Sequence, residues 1–422
     1  MDFTFTSKAQ DLHDRAARFI DREVRPLELE WFQWNNDPAN LWKAWPKLDA
    51  LKDKARGEGL WNLFMPHPIP GHAEGWTNLE YAPVAELTGA CIPASEIFNC
   101  SAPDTGNMEV LSMFGSPAQQ ERWLVPLLEG RIRSAFLMTE PRVASSDATN
   151  VETSIVRDGD DYVINGLKWW ISGIMDERCE VLIVLGKTDP TAPKHRQQSM
   201  ILVPRNAPGV KIERTMLCFG RHNSPGGEAE VSLTNVRVPK ENLILGEGRG
   251  FEVAQGRLGP GRIHHSMRMI GSAQRCLELM IERAESRVAF GRKLSEQSSI
   301  RQDIALSYYE TQQVRLLTLQ AADKMDREGN KAAMDLIAAI TVAAPRMAQQ
   351  VADRTIQVHG GMGVSDDTPA AIYWTNSRVI RIADGPDEVH LDQLARLLIK
   401  RYGDRRDVWV AQSPSAKHRV AA

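Results

Sequence analysis

The spacing of apolar residues changes twice along this chain, and that change constrains the fold more than any other feature. Up to about residue 132 the spacing is helical. Ser7 is placed to cap a helix running through Ala16, Arg18, Phe19 and Ile20. Residues 117–129 give a short amphipathic helix with Trp123 and Leu124 inward. From about 133 to 245 the period becomes two. Ser154–Arg157 and Tyr162–Gly166 flank an Asp-Gly-Asp-Asp turn, a hairpin pattern. Further strands are expected at Val181–Leu185, Met200–Val203, Val210–Arg214 and Ala229–Leu233, enough for a small barrel or sandwich.

From about 246 the helical period returns. Ile263, Met267, Ile270, Leu277, Ile281 and Ala284 form one stripe, and Ile300, Ile304 and Tyr308 begin a second helix. Residues 331–358 form a third, with Pro345 inside it, where a missing backbone donor predicts a kink. Leu391, Leu394 and Leu398 mark a fourth, so the segment reads as a four-helix bundle. The expected fold is therefore α+β and mainly helical. An N-terminal helical domain (1–132) precedes a middle β-domain (133–245), a C-terminal bundle (246–405) and a polar tail (406–422).

Composition narrows the function. With 51 Lys and Arg against 54 Asp and Glu, and no basic run, the chain does not look like a nucleic-acid binder. Mean hydropathy is −0.34 and no apolar stretch is long enough to span a membrane. Five scattered cysteines without CxxC spacing fit a reducing compartment and argue against a zinc site; no metal is expected. The start lacks a signal-peptide pattern and the C-terminus is no peroxisomal address, so a cytoplasmic location is expected. Six of the 11 tryptophans fall between Trp31 and Trp76, a cluster best read as core packing.

Five motifs carry possible chemistry. Phe136-Leu-Met138-Thr139-Glu140-Pro141, running on to Ser146-Asp147, offers hydroxyls and backbone amides in one irregular loop. Asn165-Gly-Leu-Lys168-Trp169-Trp170-Ile-Ser172-Gly173 brings paired aromatic rings to a strand end. Arg287-Val-Ala-Phe290-Gly291-Arg292 ends a long helix with guanidinium groups suited to pyrophosphate. Gln357-Val-His359-Gly360-Gly361-Met-Gly363 has more glycines than a helix stop needs. Arg381-Ile-Ala-Asp384-Gly385-Pro386-Asp387-Glu388-Val-His390 sets one acid in a turn between two helices. Alone, each has an ordinary structural reading as a loop, core aromatics, a helix end or a turn.

Together, in this order and spacing, they resemble the acyl-CoA dehydrogenase family of flavoproteins over roughly residues 5–400. Phe114-Gly-Ser-Pro through Leu128-Glu-Gly130 and Val236-Arg-Val-Pro239 resemble family signatures too. Glu140-Pro-Arg-Val-Ala-Ser-Ser-Asp147 and Asp384-Gly-Pro-Asp-Glu-Val-His390 are similar to the branch that includes the dehydrogenase part of larger multidomain members.

The resemblance implies a middle β-barrel, FAD held between barrel and bundle, and a homodimer or homotetramer. Phe136, Met138, Thr139 and Ser146 would contact FAD, Trp170 would pack beside its ring, and Ser172 would bond near N5. Arg287 and Phe290 of one subunit, with Gln357, Gly360 and Gly361, would hold the adenosine-diphosphate part across the subunit interface. Glu388 is a further cofactor contact on this reading. Ser146, Gly259, Pro260, Gly261, Arg262 and Gly385 would line the acyl-CoA path.

The implied reaction is α,β-dehydrogenation to a trans-2-enoyl-CoA, as in β-oxidation, with Asp384 as base and an electron-transfer flavoprotein as acceptor. A thioester α-proton needs its enolate stabilised by donors and its base shielded from water. Most members have Glu followed by Gly-Thr where this chain has Asp384-Gly385-Pro386, an arm one methylene shorter. Some relatives carry an alternative base at the position of Gly261. Asp in the base role also occurs in the related nitroalkane oxidases. A flavin oxidase of the same fold, acting on acyl-CoA or a nitroalkane, and a non-catalytic acyl-CoA-binding paralogue are the alternatives.

Overall fold

A computed structural model describes residues 4–403, except for the side chains of Gln255 and residues 257–260. The expected tail at 406–422 therefore lies outside the described residues. Eight helices open the chain: α1 (Ser7–Phe19), α2 (Glu28–Asn36), α3 (Leu48–Gly57), α4 (Asn78–Ala90), α5 (Ala94–Ile97), α6 (Asp104–Phe114), α7 (Pro117–Gln119) and α8 (Val125–Leu128). Thr6, not Ser7, caps α1: its side chain accepts from the Ala9 N–H, and Ser7 is the first helical residue. Thr77 and Glu80 form a reciprocal capping box on α4. Trp123 and Leu124 are buried, as their spacing predicts. Of the clustered tryptophans, Trp45 and Trp76 are buried in the core and Trp31 and Trp34 pack against it.

The middle segment is one eight-stranded sheet. Its strands are β1 (Arg133–Leu137), β2 (Ser154–Asp158), β3 (Asp161–Ser172), β4 (Cys179–Lys187), β5 (Gln198–Pro204), β6 (Val210–Met216), β7 (Glu228–Pro239) and β8 (Leu243–Ile244). The order is β6-β7-β3-β2-β4-β5-β8, with β1 parallel to β4. Alternation along β4 decides what the sheet touches. Leu182 and Val184 join the sheet's own core, whereas Val181, Ile183 and Leu185 join the core shared with the helices. β3 is longer than the sequence pattern indicates, and it carries the Trp169–Trp170 pair within the strand.

Five helices follow: α9 (Gly250–Ser286), α10 (Ser298–Glu328), α11 (Asn330–His359, with Pro345 inside), α12 (Ala370–Ile380) and α13 (Asp387–Tyr402). The hairpin of β9 (Val288–Ala289) and β10 (Arg292–Lys293) links α9 to α10. Three helical stripes differ from their expected burial. Ile281 and Tyr308 face outward, and Leu391 and Leu398 on α13 stay exposed, because among the described residues nothing packs over those faces. The five cysteines are all free and buried. Among the described residues no helix is long and apolar enough to cross a membrane.

Candidate active site

The turn Arg381–Pro386 joins α12 to α13, and it is held from both sides. The buried Asp387 carboxylate opens α13 and accepts from Arg381 Nε and Arg346 Nε, each at 2.9 Å. Arg381 also donates to Gln349 at 3.0 Å. Between these anchors Asp384 adopts φ 56°, a left-handed conformation uncommon for a non-glycine residue. Gly385 follows at φ 106°; a Cβ there would lie 2.9 Å from His390 Nε2, so both conformation and space require glycine.

Two side chains fix the Asp384 carbonyl. Arg262 Nη2 donates to it at 3.2 Å, and His390 Nε2 lies 3.2 Å away. Burial, aided by the Arg262 charge, pushes the His390 imidazole below its usual range. A carbonyl only accepts, so His390 carries its hydrogen on Nε2. The Asp384 carboxylate faces a small cavity walled by Arg262, His265, Ser266, Pro345 and Ile380. His265 Nε2 lies 3.7 Å from Asp384 Oδ2.

A second cluster forms where loop 138–153 meets β3. Lys168 is buried and donates to Glu140 at 2.7 Å, to the Leu185 carbonyl at 2.8 Å and to the Met138 carbonyl at 3.0 Å. Glu140 also takes the Thr153 hydroxyl at 2.6 Å and the backbone N–H groups of Glu152 and Thr153. Burial raises the Glu140 carboxyl, but Lys168 together with the hydrogen bonds from Thr153 and the Glu152 N–H outweighs it and holds Glu140 below its usual range; burial draws Lys168 itself down to about 8. The Thr139 carbonyl accepts from Trp169 N–H at 3.0 Å, which sets Met138 and Thr139 beside the tryptophan pair.

The β3–β7 register shifts between Lys168 and Ile171, and Trp170 sits in that irregularity at φ 53° with its ring exposed. Ser172, opposite Glu228 on β7, lines a cleft of about 200 Å³ together with Glu96, Arg133, Asn223 and Glu228. Phe136 lies on β1, Ser146 is exposed on the loop, and Glu388 is exposed on the first turn of α13.

A third cluster occupies the far end of the bundle. Phe290 stands at the tip of the β9–β10 hairpin, fully exposed at φ 52°, and Arg287 is exposed at the end of α9. Gln357, Gly360 and Gly361 end α11, and a Cβ on either glycine would meet nothing within 4 Å. Both segments flank one small apolar cluster, Met280 and Ala284 of α9 with Val358 of α11. From Arg262 to Arg287 is 25 positions along α9, about 37 Å at the helical rise.

Profiles of the acyl-CoA dehydrogenase N-terminal, middle and C-terminal domains match residues 6–131, 135–236 and 248–399. The chain is 53% identical over 407 residues to the "Probable acyl-CoA dehydrogenase FadE2" of Mycobacterium tuberculosis, covering 95% of this chain and 98% of that one. The chain belongs to the acyl-CoA dehydrogenase family.

It is also 54% identical to mouse "Acyl-CoA dehydrogenase family member 10" over 92% of its own length, but spans only 37% of that larger protein. A solved structure of a Mycobacterium abscessus protein described as an acyl-CoA dehydrogenase superposes with TM-score 0.92 at 48% identity, covering 95% of this chain and all of that one. Butyryl-CoA dehydrogenase from Megasphaera elsdenii superposes at 0.79 with 26% identity, covering 94% and 100%. The three-part fold is thus that of the family.

Measured against the sequence expectations, the structure gathers Asp384, Gly385 and Arg262 in one place, Met138, Thr139 and Trp170 in a second, and Arg287, Phe290, Gln357, Gly360 and Gly361 in a third. Gly261 is one residue from Arg262, with open space beyond its Cα. Gly259 and Pro260 fall among the residues whose side chains are not described. Sequence reasoning gave no role to His265, Lys168, Glu140 or Glu228. The i,i+3 spacing of Arg262 and His265 on one helix face was the available signal for the first.

Proposed function

We propose that the chain is an FAD-dependent acyl-CoA dehydrogenase in which Asp384 removes the α-proton of an acyl-CoA thioester to give a trans-2-enoyl-CoA. The observation that carries this reading is the Asp384 turn: a left-handed acid, its carbonyl tied by Arg262 and His390, its carboxylate turned to a cavity. Tying the carbonyl fixes the peptide plane and leaves only the side-chain torsions to aim the base. The wall of Pro345 and Ile380 keeps the carboxylate partly from water.

The donor set fits FAD. Trp170 presents an exposed ring face beside Thr139 and Met138, and the Ser172 hydroxyl opens into the neighbouring cleft. When bound, FAD would accept the hydride that leaves the β-carbon. Phe136, Ser146 and Glu388 would complete that contact set, and Ser146, Gly259, Pro260, Gly261, Arg262 and Gly385 would line the acyl-CoA path. An electron-transfer flavoprotein would take the electrons onward. Arg287, Phe290 and the Gln357–Gly361 turn lie about 37 Å along the bundle from Arg262. They would therefore serve the cofactor of a second copy, which makes the working unit a homodimer or homotetramer.

Anaerobic addition of a panel of straight, branched and hydroxylated acyl-CoA thioesters tests the reading. At least one should bleach the flavin of the yellow protein and yield a 2-enoyl-CoA by mass spectrometry. A protein that gains no FAD on reconstitution, or whose flavin no thioester bleaches, overturns it. Rapid peroxide formation under air would assign an oxidase instead.

A further inference from the structure

The two nitrogens of His265 face different partners. Nε2 lies 3.7 Å from Asp384 Oδ2, and Nδ1 lies 3.3 Å from Arg268 Nη2. A guanidinium donates and never accepts, so Nδ1 must be the acceptor and the ring hydrogen sits on Nε2, toward the carboxylate. Among the described residues, Arg262 and His264 on the same helix and His390 on α13 are further charged or titratable groups around the pair. The α11 wall, Thr341 and Pro345, adds no charge.

Size matters as much as charge here. The Asp384 backbone is tied at its carbonyl, and its flanks are clamped through Asp387, so a longer side chain cannot be absorbed by moving the turn. A Glu following the same path would extend by about 1.5 Å. That would shrink the 3.7 Å separation to about 2.2 Å, below the range of a hydrogen bond.

We propose that His265 is a positioning residue matched to the short base: its imidazole aims the Asp384 carboxylate and fills the space a longer acid would need. The proposal rests on Asp384 being the base.

The test is a two-by-two cycle of Asp384→Glu and His265→Ala, read by stopped-flow flavin reduction with the thioester that bleaches the wild type fastest. In the Asp background, His265→Ala should slow the limiting reduction rate about tenfold while leaving thioester Kd within about threefold. Asp384→Glu alone should slow it by roughly a hundredfold, and adding His265→Ala should restore at least a tenfold gain. The same substitution is therefore harmful beside Asp and helpful beside Glu, a sign reversal that a merely structural histidine would not produce. Equal fold-changes in both backgrounds overturn the proposal. Flavin absorbance verifies that each variant is loaded; if His265→Ala loses flavin, His265→Val runs the same cycle with the same two outcomes. Asp384→Asn separates the underlying reading: undiminished reduction there removes Asp384 as base, whatever the cycle gives.

Discussion

The stretch of α9 around Arg262 and the helix's C-terminal end are built on opposite plans. Around Arg262 the described contacts join parts of this chain: a tied carbonyl, a clamped turn, a carboxylate near His265. At the Arg287 end the side chains face outward: Phe290 fully exposed, Arg287 exposed, two glycines with open space above them. On the proposed reading, a fold that orders the Asp384 turn so closely and leaves large apolar and cationic groups bare beyond Ser286 positions its base by itself and needs another surface to cover that end.

Breaking the closed end should give the largest effect. Asp384→Asn keeps the shape and hydrogen-bonding capacity of the turn but removes the proton acceptor. Flavin reduction by an acyl-CoA should slow by about a thousandfold or more, with FAD retained and no dependence on protein concentration. Stopped-flow reduction with absorbance for flavin content checks both parts; loss of flavin would mean that the closed end also builds the cofactor site.

The loop bearing Met138 and Thr139 is closed in the same way, through Lys168 and Glu140. Lys168→Met would leave a buried carboxylate with no cation, a loss of about 3–5 kcal/mol. Since Lys168 holds the Glu140 carboxyl below its usual range, that carboxylate's contribution is present at neutral pH and fades as pH falls through its folded value. Acid unfolding of the variant should therefore begin at higher pH than in the wild type. Calorimetry across acidic pH reads the effect, and an unchanged profile would mean the pair does not brace the loop.

How much of this could be read in advance differs between the same regions. The three-part order is written in local spacing, because burial of one helix face or one strand face leaves a period that needs no knowledge of partners. The Asp384 turn was legible as a turn, from Asp-Gly-Pro after a helical run. What held it was not: Arg262 reaches Asp384 across 122 residues, and His265 sits in an Ile-His-His-Ser run whose neighbours give no hint of a carboxylate. Ile281, Leu391 and Leu398 show the converse. Their period announced an apolar face, but period cannot say whether the same chain or another covers it. Gly166 was legible only as part of a motif. In the fold a Cβ there would overlap the Thr153 hydroxyl that bonds Glu140.

The open end gives a smaller and different signature. Arg287→Ala should weaken FAD retention by roughly tenfold to a hundredfold while leaving the reduction rate of loaded enzyme nearly unchanged. If a second copy supplies these groups, flavin loss should steepen on dilution. Equilibrium dialysis against FAD at two protein concentrations, with sedimentation to count chains, decides it. A reduction-rate defect at full loading would erase the contrast between the two ends.

The smallest effect belongs to Glu228, which sits between the two plans. It pairs with Ser172 across β3 and β7, lines the cleft and takes one hydrogen bond, from Asn223 at 3.1 Å. Burial pushes its carboxyl up to about 7. An acid whose folded value is raised binds its proton more tightly folded than unfolded, so its stabilising contribution is complete below the ordinary carboxylate range and lost as pH rises to about 7. Because the side chain is only half-buried, the loss should be about 1 kcal/mol, and Glu228→Gln should flatten it. Cofactor-depleted and FAD-loaded protein should also differ. A planar ring seated beside Trp170 and Ser172 would strip more water from the cleft, raise the carboxyl further and extend the loss to higher pH. Denaturant titrations of both forms between pH 5 and 8 would reveal that extension. The same slope with and without FAD would put the cofactor elsewhere than beside Ser172.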